Sequence, residues 1–489
     1  MDDTTMTDTM VVVDSGEPMH LARFLMGSRY QTPNGKPGLR FWRGSFYQWY
    51  GGQWVRREQR WVENDLYKAL ENVQWGMAVG RGQTVMERCA PNSKMVMEVA
   101  RCLEVVQEVG VERSPCWREG ANQRHDPMHC VAFQDVVVDV AETAAAWDGA
   151  GPIPWVTFER TEDYFEPVVL PVVFDPAADC PVYREKLTQW FTDAESLELF
   201  ARASGYLLMP TRKYQRGTAL IGKIRGGKGT NTRLYKRLLG SAYFGTSMRE
   251  TAGAFGLQGA EAARALVISE CTDLETAGGQ VFAGIWKNVV GEDEVTVNRK
   301  HMPSVRCVLN ANVVMVSNQM PRLPNKGEGM SGKMLFVPFD HSFRGAEDFN
   351  LDTKLDRELA GIARWMVEGA VRLEKEPRAD RKWPVSGRTQ ALLDQYRILN
   401  NPFDAFLEAR FVKVPAGFSS AVEIRRQWHD WRSRNQVRLH VSENQLLMKL
   451  EEESTWGVVR GRFGAEGIPG LRGMDLRRDV ALGEVNDAL

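Results

Sequence analysis

Apolar and polar positions change period several times along this chain, and the changes mark out its elements. Ala219, Leu220 and Ile221 form a short apolar run; the stretch GKIRGGKGT, Gly222 to Thr230, follows, and then Leu234, Leu238 and Leu239 recur at helical spacing. That order predicts strand, loop and helix. ALVISE, Ala265 to Glu270, predicts a second buried strand with a carboxylate at its tip, and VVMVSNQMP, Val313 to Pro321, a third that ends in Asn318. Between them two β-prone runs, EVTVN and SVRCVL, flank Lys300 and His301, with Arg299 beside them, which puts the three at a hairpin tip. Near-continuous apolar strands separated by helices belong to parallel α/β sheets, whose ligands sit at the carboxyl ends of the strands. Lys228, Glu270 and Asn318 could therefore converge.

The flanking regions carry weaker patterns. Residues 1–20 read as a disordered tail and residues 21–150 as a first domain, in which Gly51 and Gly52 of SFYQWYGGQWVRR could turn a hairpin. Phe46, Tyr47, Trp49, Tyr50 and Trp54, beside Arg56 and Arg57, either pack that hairpin, the favoured reading, or stack bases. DGAGPIP, Asp148 to Pro154, opens a linker over 151–176. Thr192 to Glu195 has the form of a capping box between two amphipathic helices over 177–208. Leu351, Leu355, Leu359, Ile362 and Met366 predict a lid helix within 346–400. In 401–489, Ser420-x-x-Glu423 and Ser442-x-x-Gln445 open two helices before VVRGRF and a glycine-rich return, the order of a winged helix. Arg425, Arg426, Arg432, Arg434 and Arg438 could meet phosphates there, whereas Glu451, Glu452 and Glu453 would repel them and leave protein docking open.

The glycine stretch carries the chemistry. In Gly-x-x-x-x-Gly-Lys the glycines let backbone N–H groups curl around phosphate oxygens, the next helix presents its positive end, and the lysine reaches the outer phosphates. An ordinary glycine loop is the alternative, and the three further segments that follow in order tell against it.

Together the four segments resemble the superfamily 3 helicases, and most closely the phage and plasmid primase-helicase branch with its poxvirus relatives, from about Phe174 to about Leu373. The resemblance implies a multidomain α/β protein. The expected parts are an AAA+ P-loop NTPase core with a parallel sheet over 209–345, an α+β amino-terminal domain, a helical collar at 177–208, lid helices and a carboxy-terminal winged helix. Gly222, Gly226, Gly227, Lys228, Gly229 and Thr230 become the Walker A loop, Glu270 the Walker B acid and Asn318 the sensor that orients water. Arg299, Lys300 and His301 become the tip that tracks one DNA strand, with a solvated basic turn as the alternative. ATP and Mg²⁺ are the implied cofactors, and single-stranded or forked DNA, further copies in a homo-hexamer and a primase or replication initiator the implied partners. The implied reaction is ATP hydrolysis coupled to 3′ to 5′ DNA unwinding in phage or mobile-element replication.

This chain departs from that pattern in three places. Gly229 stands where Ser or Thr usually binds magnesium, so Thr230 or a water takes that role, alongside Glu270. Ser269 precedes Glu270 and leaves one acid where many relatives have two. Lys333 stands near where relatives carry an arginine that reaches the neighbouring subunit's nucleotide; Arg322 and Arg344 are nearby substitutes, and lysine lacks the planar fork. Two further readings stay open: an initiator or DNA-binding scaffold with a weak ATP site, and a P-loop NTPase that remodels proteins.

Composition adds limits. A chain of 489 residues that is 43% hydrophobic can give about three domains a core each. The net charge of −1 confines any DNA-binding surface to a local patch. No apolar run approaches the roughly 20 residues of a membrane span, and the acidic start MDDTTMTDTM lacks the basic opening of a secretory signal. The expected location is the cytoplasm, that of a bacterial host if the chain is phage-encoded. Seven cysteines without CxxC pairs read as reduced thiols. Cys116, His125, His129 and Cys130 are zinc-ligand types, but their spacing matches no standard finger.

Overall fold

A computed structural model of the chain describes residues 10–78, 84–107, 114–121, 124–269, 271, 277–300, 302–321, 332–435, 437, 439 and 441–477. It is a mixed α/β protein with several sheets. The central sheet has five parallel strands in the order Tyr243–Ser247, Ala265–Ser269, Asn312–Ser317, Gly217–Gly222, Met334–Phe339. From Gly217–Gly222 the chain crosses to the far edge and works back, and its last strand lands on the other side of the first. The strand that leads into the glycine loop is thus flanked on both sides, at the point where the winding reverses.

Alternate residues of these strands enter two separate cores, which is why the strands read as unbroken apolar runs. Leu220, Val267, Val314, Leu335 and Val337 face one layer, with Leu234 and Leu238 of helix Lys228–Leu239. Ala219, Leu266, Ile268, Met315 and Phe336 face the other, with Phe282 and Trp286 of helix Ala277–Gly291 and with Val295 and Val297 of the hairpin Glu294–Arg299 and Met302–Val308.

Helices Pro181–Trp190 and Ala194–Leu208 cover the first layer together with Leu359–Lys375. Two of these helices approach so closely that a Cβ on Gly205 would lie 2.2 Å from Ala370 N, and one on Gly369 would lie 2.1 Å from Ala201 O. The helix start differs from the capping box expected at Thr192. Asp193 is the cap and its carboxylate accepts from Ser196 N at 2.7 Å, so the helix begins one residue later. The leucine stripe from Leu351 also divides, into Leu351–Arg357 and Leu359–Lys375. At the break the Glu358 carboxylate accepts from Val182 N at 2.9 Å and Tyr183 N at 3.0 Å, and so caps the helix Pro181–Trp190.

The amino-terminal region packs helices Pro18–Met26, Gln59–Leu70 and Ser93–Val106 on two small sheets. Part of the expected disordered tail is ordered: Val11–Val13 pairs in parallel with Val73–Trp75, since three β-branched residues in a row favour a strand. Residues 1–9 lie outside the described residues. Gly51 and Gly52, both at positive φ, turn the aromatic hairpin, in which Phe46, Tyr47 and Trp54 are buried and Tyr50 is 65% exposed. A buried ion pair, Arg264 to Glu166 at 2.8 Å, ties this region to the central sheet, and burial raises the Glu166 carboxyl in spite of the arginine.

In the carboxy-terminal region helices Ala421–Arg434 and Glu443–Glu453 pack on a three-stranded antiparallel sheet. Ser420 caps the first helix, while the Ser442 hydroxyl turns to the Gln445 side chain at 2.9 Å. The arginines that could meet phosphates bond near neighbours yet stay accessible, the Arg426 side chain being 70% exposed and that of Arg434 49%. Arg426 pairs with Glu423 at 2.8 Å, Arg434 pairs with Asp430 at 3.0 Å, and Arg425 and Arg432 each donate to a backbone carbonyl at 3.3 Å. Arg438 lies outside the described residues. The four candidate zinc ligands also part company: His125 bonds Asp139 at 2.9 Å, His129 faces Glu374 at 3.5 Å, and Cys130 donates to Asp126 O at 3.2 Å. No described helix is long and apolar enough to cross a membrane.

The helix contact gives a stability prediction. Gly205→Ala and Gly369→Ala should each cost about 1–3 kcal/mol, the usual range for overpacking, and lower the urea midpoint. Gly387→Ala, where an added Cβ meets nothing within 4 Å, should leave that midpoint in place.

Candidate functional site

The loop Lys223–Gly227 joins the central strand to helix Lys228–Leu239, and its shape follows from three close approaches. Gly222 has φ +147, and a Cβ there would lie 2.1 Å from Phe339 O; that same carbonyl accepts from Lys223 N at 2.8 Å. A Cβ on Gly226 would lie 2.8 Å from His341 O. Gly227, at φ +102, begins the helix against the Trp190 ring, 2.5 Å from an added Cβ. Only glycine satisfies these positions. Gly229 differs, since the nearest atom to a Cβ there is Arg233 Nη1 at 3.4 Å, so space does not require glycine.

The first turn of this helix is anchored from below by residues with no motif to announce them. Asn231 is fully buried; its side-chain N–H donates to Gly227 O at 3.0 Å, and its oxygen accepts from Tyr183 Oη at 2.9 Å. Trp190 packs on both the loop and Phe339. Both aromatic residues belong to helix Pro181–Trp190, so that helix holds the loop in place. The only sequence signal for them was membership of an amphipathic helix.

Above the loop lies a cleft of about 620 Å³, lined by the loop, Lys228, Thr230, Arg233 and Asn318, by Lys186 and Gln189 on one wall and by Phe343, Ala346 to Phe349, Leu351 and Asp352 on the other. The Lys228 ammonium folds over the loop and donates to Gly222 O at 2.7 Å and Lys223 O at 2.6 Å, and burial pushes its pKa down to about 8. Two loop-side cations pair with acids of the facing wall: Arg225 with Glu347, and Arg233 with Asp352 at 3.0 Å. The site thus offers backbone N–H groups at a helix start, one buried ammonium and two arginines, a set suited to a polyanion such as a phosphate chain.

Asn318 follows the strand Asn312–Ser317 into this cleft, as its place at a strand tip predicted. Next to it Ser317 Oγ donates to Cys271 O at 2.9 Å and clips together two chain segments at the carboxyl edge. Glu270 and Arg322 lie outside the described residues; Ser269, just before Glu270, ends its strand at that edge, paired with Ser247. Lys333 stands at the opposite, amino end of the sheet, where its carbonyl accepts from Gly217 N at 2.8 Å. The six-residue strand Gly217–Gly222 puts it roughly 17 Å from the loop at about 3.3 Å per residue, beyond reach of its own chain's cleft. Arg344 is exposed, one residue past the cleft-lining Phe343.

The hairpin pairs Arg299 with Met302 and Lys300 stands at its tip, while His301 lies outside the described residues. Lys300 is not bare: its N–H donates to Gln258 Oε1 at 3.3 Å, and its ammonium lies 5.8 Å from the Phe255 ring. An amino-terminal turn docks on the same hairpin. Arg43 donates to Glu261 O and, at 2.6 Å, to Val308 O, and the missing Cβ of Gly44 leaves room for the Arg299 guanidinium, 2.4 Å from that position.

Residues 220–331 match the model of a family described as a family of unknown function, DUF5906. No curated protein matches the chain. Among solved structures, the chain is similar to the A form apo structure of the NrS-1 C-terminal region, with 11% identity and a TM-score of 0.48 over 94% of this chain and 100% of that one. The apo structure of the NrS-1 C-terminal region 305–718 gives 10% identity and a TM-score of 0.48, over 94% and 100%.

The lowered pKa of Lys228 predicts that any phosphate affinity of the cleft depends on pH. The ammonium is the binding form, so affinity for inorganic tripolyphosphate should hold below about pH 8 and fall as pH rises through it. Calorimetric titrations at several pH values would check this, and a flat profile up to pH 10 would remove Lys228 from the contact.

Proposed function

We propose that the chain is a P-loop nucleoside triphosphatase that couples turnover to movement along a nucleic-acid strand, in the manner of the superfamily 3 helicases. The observation that carries this reading is the glycine loop and Lys228 in a cleft at the carboxyl edge of a parallel sheet, with Asn318 beside them. Lys228 and the helix start would neutralise phosphate charge, Asn318 would orient the attacking water, and Glu270 would polarise it. Thr230 lines the cleft and is the described hydroxyl suited to hold Mg²⁺, with Glu270 as its partner. The metal would supply charge neutralisation on the transferred phosphoryl group. Arg299, Lys300 and His301 would meet the phosphates of one strand, in a ring of copies that brings Lys333 or Arg344 to a neighbour's cleft.

A second reading, a replication scaffold with slow turnover, is favoured by Gly229: a larger residue would fit there, yet the chain offers no hydroxyl at that position. Nucleic-acid-stimulated ATP turnover separates the two, since only the motor needs it.

Lys228→Ala should abolish turnover without lowering the melting temperature, because burial of the ammonium, which lowers its pKa, is a penalty on the folded state that its two carbonyl bonds offset. Wild-type turnover in this variant would remove the site assignment. Glu270→Gln should keep nucleotide binding and lose hydrolysis; loss of binding as well would make Glu270 a structural residue or chiefly a metal ligand. Changing Lys300 and His301 together to alanine should weaken single-stranded DNA binding and flatten its salt dependence, by about one to two phosphate contacts per copy, while basal ATP turnover persists. Unchanged salt dependence would exclude the hairpin as the tracking element.

A further inference from the structure

The triphosphate end of the cleft is built from charged and backbone groups, but its rim is apolar. Phe349 is 92% exposed and lines the cleft, Ile224 on the loop is 64% exposed and lines it too, and Phe343 stands on the same wall as Phe349. One exposed aromatic residue would be ordinary, but Phe349 and Ile224 together give the mouth of a polar cleft an apolar rim, the kind of surface that marks a ligand groove.

The display is also fixed. Asp348 accepts from Asn350 N at 3.0 Å and pairs with Lys354 at 2.7 Å, and Leu351 N donates to Asp348 O at 3.1 Å, so the turn that carries Phe349 is tied to the helix behind it. On the facing wall the polar side chains bond one another: Lys186 Nζ donates to Gln189 Oε1 at 3.0 Å, and Gln189 Nε2 donates to Glu185 Oε1 at 2.9 Å.

Resting on the nucleotide reading above, we propose that Phe349 is the platform on which the base of the bound nucleotide stacks, with Ile224 and Phe343 as its apolar surround, and that the base is held by its face and not by hydrogen bonds to its edge. The site then takes purine nucleoside triphosphates with little distinction between adenine and guanine. Stacking is tolerant of base identity because each base presents a π face, whereas edge readout needs donors and acceptors directed at the ring.

Calorimetric titration of the full chain with AMP-PNP, GMP-PNP and inorganic tripolyphosphate tests this. The two nucleotides should bind within about threefold of each other, and Phe349→Ala should weaken both by about tenfold, a loss of the size that one stacked base contributes. Phe349→Trp should restore binding, and tripolyphosphate affinity should be the same in all three proteins. Strong preference for one purine, unchanged nucleotide affinity in Phe349→Ala, or an equal loss of tripolyphosphate affinity would each overturn the platform. So would a change of oligomeric state in Phe349→Ala without nucleotide, which would make the ring a contact between copies. If the unaltered chain binds neither nucleotide nor tripolyphosphate, the phosphate site itself fails and the platform with it.

Discussion

The contact on which the rest of this molecule depends is between two stretches of backbone: Gly222 against Phe339, on neighbouring parallel strands at the carboxyl edge of the sheet. The Phe339 carbonyl accepts the Lys223 N–H at 2.8 Å, in the space a side chain on Gly222 would fill. This contact sends the chain sharply out of the sheet, and the loop is then held by the segment that follows Phe339. Ser342 Oγ donates to Ile224 O at 2.9 Å, and Phe343 N donates to Arg225 O at 3.1 Å. The loop therefore has its shape before any ligand arrives, which reduces the ordering cost of binding.

Charge in the cleft is balanced in a way that a polyanion can displace. Glu347 and Asp352 face Arg225 and Arg233, while the loop's own carbonyls hold Lys228. The arginines of these pairs are about half exposed and the pairs weak by nature, so an anion in the cleft would compete with Glu347 and Asp352 for them. Lys228 is different: burial has already lowered its affinity for a proton, and an arriving phosphate would offset that penalty directly.

Below the loop the helical cover acts as a scaffold for the site. Tyr183, Trp190 and Asn231 link helix Pro181–Trp190 to the start of the loop helix, and Glu358 caps that same helix from the next layer. The glycine-mediated approach of Ala194–Leu208 to Leu359–Lys375 fixes the layer in turn. On the other side of the sheet, the amino-terminal turn at Arg43 and Gly44 rests on the hairpin that carries Arg299 and Lys300. Cleft and hairpin are thus braced by different neighbours across one sheet.

The sequence by itself determined the local elements of the site: the strand, loop and helix around Lys228, the strand that ends before Asn318, and the hairpin below Lys300. Each rests on periodicity or on glycine at positions where no other residue fits, and these are properties of adjacent residues. It misjudged the cap at Thr192, the unity of the leucine stripe from Leu351, and the order of Val11–Val13. Each of those depends on which distant group competes for a hydrogen bond or a strand edge. Only the tertiary structure decided that Lys333 stands at the far end of the sheet from its own loop, that Tyr183, Trp190 and Asn231 hold the loop, and that Phe349 overhangs the cleft. These relations join residues tens to hundreds of positions apart, and strand order and close packing, which no local pattern encodes, bring them together.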